Sequence, residues 1–275
     1  MLQPASMRPG TSASTLLYVS GDKYSYSGPV VYVYSYPGGT LETTLSGFQR
    51  PRGLCTDKRG DVYITDQEAG KIVEYSHGGT TPITTLSDAN QPDACFVDPQ
   101  SGKLAVSNYS GSVSIYAQAK GKPRLYSIPW PGWFVAYDNA GNLFADGFPN
   151  GIIAIAELLK GSVSFATFNP GVRIKMPPAG LQWFGDRLTV GRQNPYQYGC
   201  CGKINRFIVQ GMTGEKVGTT RTRQMLDYFI EGSTVVATSG YNRVEIFSYP
   251  KPGSSGQTID TPGENTYGVV VSNAP

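Results

Sequence analysis

The stretch Pro51-Arg52-Gly53-Leu54-Cys55-Thr56-Asp57, a turn at Lys58-Arg59-Gly60, and then Asp61-Val62-Tyr63-Ile64-Thr65-Asp66 decides the fold. Two short runs of apolar, β-branched and aromatic residues around a Gly-containing turn read as a β-hairpin. A third run, Lys71-Ile72-Val73-Glu74-Tyr75, leads into Ser76-His77-Gly78-Gly79-Thr80. The hairpin recurs as Ala94-Cys95-Phe96-Val97-Asp98 with Lys103-Leu104-Ala105-Val106-Ser107-Asn108, and as Phe134-Val135-Ala136-Tyr137-Asp138 with Asn142-Leu143-Phe144-Ala145-Asp146. The third run recurs as Val33-Tyr34-Ser35-Tyr36-Pro37-Gly38-Gly39-Thr40 and Ile246-Phe247-Ser248-Tyr249-Pro250. Turn glycines at 60, 102, 141, 185 and 232 give separations of 42, 39, 44 and 47 residues. Four short strands per repeat at this period are the signature of a β-propeller blade.

Each repeat thus reads as strands a, b, c and d. The segment Ile152 to Lys160, rich in Ala, Leu and Glu, has the composition of a two-turn helix, but repeat alignment makes it a strand c. Five complete repeats and a divided sixth fill the chain. Leu16-Leu17-Tyr18-Val19-Ser20 matches strand b, and Tyr267-Gly268-Val269-Val270-Val271-Ser272 matches strand a. The expected architecture is an all-β six-bladed propeller over residues 16–275, closed when the C-terminal strand pairs with the N-terminal ones. Closure removes the exposed sheet edges that an open array leaves. A seventh blade would need about 40 more residues. Residues 1–15 read as a flexible lead-in.

The pattern Pro51 to Asp57, Gly60 to Asp66 and Lys71 to Tyr75 resembles an NHL repeat. It is also similar to repeats of secreted bacterial propellers in the gluconolactonase and streptogramin-lyase superfamily. The resemblance covers about residues 16–275 and is weakest from Gly180 to Cys201. It implies a six-bladed propeller with ligands bound on one rim, in a superfamily of lyases, lactonases and binding scaffolds, so it does not select a function.

Composition narrows the function classes. With 34 Gly and 20 Pro in 275 residues the chain is not helical. Its net charge of +3 comes from scattered Lys and Arg, so no nucleic-acid partner is expected. No apolar stretch approaches the roughly 20 residues of a membrane helix. Low charge, 18 Tyr and abundant Ser, Thr and Gly suit an exported protein, extracellular or periplasmic. The polar segment Met1 to Ser14 reads as what stands where a signal peptide has been removed. His77 is the one histidine. It aligns with Pro37 and Pro250 at a c–d turn away from the channel, which argues against a histidine general base or a Ser-His-Asp triad.

Chemistry is expected on the rim built from b–c loops and d–a connections. An aromatic and basic set, Tyr24, Tyr26, Arg52, Trp130, Trp133, Arg192, Tyr196, Tyr198 and Tyr267, suits stacking on a glycan, polymer or protein ligand. Packing of loops by the same aromatics is the competing reading. Asp66, Asp93 and Asn108, with Asp22 and Glu264, carry the oxygens a calcium ion would accept, and no other cofactor is expected. The competing reading of these residues is turn structure. Asp57, Asp98 and Asp138 belong to the a–b turns of the opposite rim. Cys200 and Cys201 are adjacent and would close a vicinal disulfide, remain thiols or bridge distant partners. Cys55 and Cys95 read as equivalent positions on neighbouring inner strands, buried and reduced in preference to disulfide-bonded. The leading functional reading is an exported, non-catalytic binding propeller. The alternatives are a metal-dependent hydrolase or lactonase, and a self-assembling surface or matrix protein.

Overall fold

The computed structural model describes residues 14–22, 28–194, 201–251, 256–263 and 265–274. Over them the apolar runs are strands and the Gly-, Asn- and Asp-rich punctuation is turns. The chain opens with β1 (Thr15–Gly21), β2 (Val30–Ser35) and β3 (Leu41–Leu45) of blade 1. Blade 2 is β4 (Pro51–Thr56), β5 (Val62–Asp66), β6 (Lys71–Tyr75) and β7 (Pro82–Ser87). Blade 3 is β8 (Pro92–Val97), β9 (Leu104–Asn108), β10 (Ser112–Ala117) and β11 (Lys120–Ser127). Blade 4 is β12 (Gly132–Tyr137), β13 (Leu143–Gly147), β14 (Ala154–Leu158) and β15 (Ala166–Phe168). Blade 5 is β16 (Pro178–Phe184), β17 (Arg187–Arg192), β18 (Gly202–Gln210) and β19 (Thr213–Thr222). Blade 6 is β20 (Asp227–Glu231), β21 (Thr234–Thr238), β22 (Arg243–Ser248) and β23 (Gln257–Asp260). The last strand, β24 (Thr266–Asn273), returns to blade 1, whose order is β24-β1-β2-β3.

The fold is therefore a six-bladed propeller closed by its C-terminal strand. β24 runs antiparallel to β1 with Leu17 opposite Val271 and Val19 opposite Val269. The segment of helical composition is strand β14, paired with β13 and β15. Among the described residues the helical structure is one 3-10 turn, Pro149–Gly151.

Alternation along each strand sends successive side chains to opposite faces, so each inner strand packs on both neighbouring blades. On β4, Leu54 packs with Ile64 against Tyr18 and Val31 of blade 1. Its neighbour Cys55 packs with Tyr63 against Val97, Leu104 and Val106 of blade 3. This alternation corrects the cysteine expectation. Leu54 pairs with Ile64, two residues before the end of β5, and Cys95 pairs with Val106, two before the end of β9. Cys95 thus corresponds to Leu54, not to Cys55. Truly equivalent residues point the same way round the ring and never meet, whereas a one-residue offset turns the two side chains towards each other. They form a disulfide, with Cα atoms 5.6 Å apart.

Hydroxyls near the end of strand b tie consecutive blades together. Ser20 donates to Arg52 O at 2.6 Å, Thr65 to Asp93 O at 2.8 Å, Ser107 to Trp133 O at 2.8 Å and Thr238 to Tyr267 O at 2.5 Å. Each bond satisfies a carbonyl freed where the next inner strand shifts register, and so fixes the backbone that carries the channel-mouth side chains.

The a–b turns are built by aspartates, as expected. Asp57 Oδ1 accepts from Arg59 N and Asp61 N, Asp138 Oδ1 from Ala140 N and Asn142 N, and Asp98 Oδ1 from Gln100 N. Comparison of blades 2 and 4 exposes a missing cation. In blade 2, Arg59 reaches Asp57, Asp61 and Glu74, and the Tyr63 hydroxyl donates to Glu74 at 2.9 Å. In blade 4 the matching residues are Ala140 and Phe144. Glu157, the counterpart of Glu74, is 2% exposed, with Oε2 buried and, among the described residues, unpartnered. Burial, with repulsion from Asp138, pushes its carboxyl from 4.5 up to about 7. The folded carboxyl therefore holds a proton more tightly than the unfolded one, and this contribution to stability is lost as pH rises from about 4.5 through about 7. Glu157→Gln is expected to leave stability at pH 4 unchanged and to raise it at pH 8 by about 1–2 kcal/mol, read by thermal melts at both pH values.

Candidate functional site at the channel mouth

The inner strands β4, β8, β12, β16, β20 and β24 line the central channel. Near the start of each, two residues before the one that pairs two short of the end of strand b, stand Arg52, Asp93, Trp133, Ala179, Asp227 and Tyr267. Register shifts in β4, β8, β12 and β16 fall at these positions, and five of the six residues converge on the mouth. With Gln193 they line a cavity of about 250 Å³. Beside it a groove of about 750 Å³ runs over blades 2 and 3, bordered by Arg50, Gln67, Glu68, Gln91, Tyr109 and Trp133 and sharing Arg52 and Asp93 with the mouth. A second cavity of about 250 Å³ lies deeper in the channel, against Cys55, Leu181 and Phe229.

Arg52 organises the mouth. Its Nε lies 3.2 Å from Asp93 Oδ1, and its guanidinium sits 3.9 Å from the centre of the Tyr267 ring. Burial opposes its charge, but Asp93, Tyr267 and Asp22 outweigh burial and hold the guanidinium above its ordinary value. Asp93 also accepts from Gln67 Nε2 at 2.8 Å, and burial raises its carboxyl even though Arg52 pulls it back. Asp227 accepts from Tyr228 N and Val269 N, yet burial, reinforced by Asp93, lifts it to about 7. Asp146 accepts from Phe134 N, and burial drives it well above the carboxylate range, with Asp93 and Asp227 adding repulsion. The mouth thus couples one fixed cation and two aromatic faces to carboxyls that resist ionisation. Such a surface suits a ligand with apolar area and hydrogen-bonding edges.

The predicted site residues divide. Arg52, Trp133 and Tyr267 come together, with Asp93 as the ion partner of Arg52. Trp130 lies instead over Gly147, where a Cβ would stand 1.9 Å from the indole Cδ1. Arg192 stands across from Lys203 on β18, and Gln193 takes the mouth position. Tyr24, Tyr26, Tyr196, Tyr198, Cys200 and Glu264 lie outside the described residues. Cys201 is disulfide-bonded. Asp66 accepts from Gln49 N and Arg50 N and lies 3.6 Å from Lys71 Nζ. Asn108 donates to Ser112 and Ser114, while its Oδ1 is buried and, among the described residues, unpartnered. Asp22 is fully buried, 3.8 Å from Arg50. Among the described residues no three His, Cys, Asp or Glu side chains group closely enough to hold a metal ion. His77 Nδ1 lies 2.7 Å from Ser272 Oγ, which donates to Gly60 O at the a–b turn face, opposite the mouth. Sequence reasoning missed Asp227, Gln193, Gln67 and the half-exposed Tyr109.

No protein-family model matches the chain, and no curated protein matches it. Solved structures do. A chain from the crystal structure of a nidogen/laminin complex matches with a TM-score of 0.72 at 13% identity, over 94% of this chain and 98% of that one. A chain of the Kuenenia stuttgartiensis hydrazine synthase matches with a TM-score of 0.62 at 10% identity, over 90% of this chain and 80% of that one. The likeness is one of fold. It supports the six-bladed propeller and carries no finer family. No helix among the described residues is long and apolar enough to cross a membrane.

Proposed function

We propose that the chain is an exported, non-catalytic propeller whose channel-mouth face seats a protein partner. The observation that carries this reading is the convergence of Arg52, Trp133 and Tyr267 on one mouth that opens into the groove beside Tyr109. Trp, Tyr and Arg are the side chains that most often anchor protein interfaces, because they combine large apolar area with directed polar groups. The neighbouring chain from a complex of two proteins supports the reading. The hydrazine synthase neighbour is a reminder that the fold alone does not choose, so the site has to. Engagement of the single imidazole with Ser272, away from the mouth, favours binding over acid–base catalysis. The Cys55–Cys95 bridge supports an oxidising compartment outside the cytosol.

Against a partner isolated from the protein's native surroundings, Trp133→Ala and Tyr109→Ala are each expected to weaken binding by about tenfold or more while leaving the melting temperature near that of the parent. Titration by calorimetry measures both. Unchanged affinity in both variants overturns the assignment of this face.

A further inference from the structure

Blade 5 carries an arrangement that the channel mouth does not use. Arg192 of β17 stands opposite Lys203 of β18, and Lys203 stands opposite Arg221 of β19. Cross-strand partners share a face, so three cations stand side by side, one per strand. Lys216 shares that face, opposite Phe207. The face is the one towards blade 4: Val190 and Phe207, on the same side of their strands, pack with Ile153 and Phe168 of that blade. The alternate residues Ile204 and Thr220 face blade 6, where the Thr220 hydroxyl donates to Pro250 O.

Directly opposed like charges destabilise a sheet. Among the described residues no carboxylate relieves the repulsion: none of these four cations has one within ion-pair distance, whereas Arg52, Arg59 and Arg223 all do. Burial, together with Arg192, Arg221 and Lys216, lowers the affinity of Lys203 for its proton. Arg221 and Lys216 are exposed, and Arg192 and Lys203 are half-buried.

The spacing selects among anionic partners. Neighbouring strands lie about 4.8 Å apart, so the ladder offers one cation per strand at a step comparable to one pyranose ring. An extended acidic peptide, whose same-side carboxylates recur every two residues, about 6.6 Å, is the competing anionic partner, and polyglutamate tests it. We infer that the Arg192–Lys203–Arg221 ladder is a binding site for an acidic polysaccharide bearing a carboxylate or sulfate on each successive sugar, lying across blade 5 perpendicular to its strands. Guanidinium groups at both ends grip such groups through paired N–H bonds, and the central ammonium adds a point charge. The site is separate from the channel mouth and does not depend on the reading of that face.

The test uses the whole chain with labelled polygalacturonate and heparin as the carboxylate and sulfate probes. Dextran, polyglutamate and single-stranded DNA complete the set. The triple variant Arg192→Gln, Lys203→Gln, Arg221→Gln is compared with Lys120→Gln, Lys122→Gln, Arg124→Gln on β11, which removes the same charge elsewhere. The ladder variant should lose about tenfold or more in affinity for at least one acidic polysaccharide, with a shallower salt dependence, while the β11 variant keeps its affinity. Its melting temperature should equal or exceed that of the parent, because repulsion is removed. If the triple variant unfolds, Lys203→Gln alone must still weaken binding. Equal losses in both triple variants, binding of polyglutamate or DNA as tight as that of the polysaccharides, or no binding to either acidic polysaccharide overturns the assignment.

Discussion

A chain ending at residue 264 should not fold. Without β24 the Ser20 hydroxyl loses the N–H it accepts from Gly268, the Thr238 hydroxyl loses Tyr267 O, and β1 becomes an open inner edge. Val269 and Val271 leave the core shared by blades 1 and 6, and Val270 leaves the core shared by blades 1 and 2. Each buried valine contributes about 1.5–2 kcal/mol. Together with the lost ladder hydrogen bonds, their removal approaches the whole of a typical stability, about 5–15 kcal/mol. The expected result is loss of the cooperative thermal transition, with a disordered far-ultraviolet spectrum. Val270→Asp, which buries a charge at a position 0% exposed, should act in the same direction with the chain length unchanged. A truncated chain that still melts cooperatively near the parent temperature contradicts closure by β24.

The second large effect concerns the bridge between blades 2 and 3. Cys55→Ser with Cys95→Ser should cost about 4 kcal/mol, because the bridge closes a loop of 40 residues and restricts the unfolded chain. The parent should melt at a lower temperature under reducing conditions. Reduction of the bond at Cys201 contributes to that shift in parent and variant alike, so the difference between them isolates the inter-blade bridge. Equal stability of parent and double variant would mean that the two sulfurs are not joined. The bridge also holds β4 against β8 directly below Arg52 and Asp93, so its loss should loosen the mouth as well as the fold.

The repeat made the architecture legible because its cause is local: short apolar runs, Gly turns and Asp-built corners recur at a period set by four strands. The strand identity of β14 followed from that period against its own composition. Register was not legible at single-residue precision. Cys55 and Cys95, 40 residues apart, look equivalent, and only the pairing of Leu54 with Ile64 and Cys95 with Val106 reveals the offset that turns them together. The same limit applies at the mouth. Trp130 and Trp133 read alike in sequence, but the missing side chain at Gly147 draws Trp130 out of the rim. Asp227 is hard to place from sequence because Leu226 stands at the entry to its inner strand, where β4, β8, β12 and β16 have Pro or Gly. Ser20, Thr65, Ser107 and Thr238 all precede or close the end of a strand b, a visible pattern whose meaning needs the neighbouring blade's carbonyl. In sequence Arg192 reads with the rim aromatics; its cross-strand neighbours give it a different setting.

Partners are expected to meet this propeller at the channel mouth. Site-specific photocrosslinking tests this directly, with benzophenone-bearing residues placed singly at Tyr109 on the mouth groove and at Leu125 on the outer strand β11, both about half exposed. In the protein's native surroundings, the probe at position 109 should capture a partner, identified by mass spectrometry, and the probe at 125 should not. Capture from position 125 with none from 109 would contradict the account and move the binding face to the blade edges.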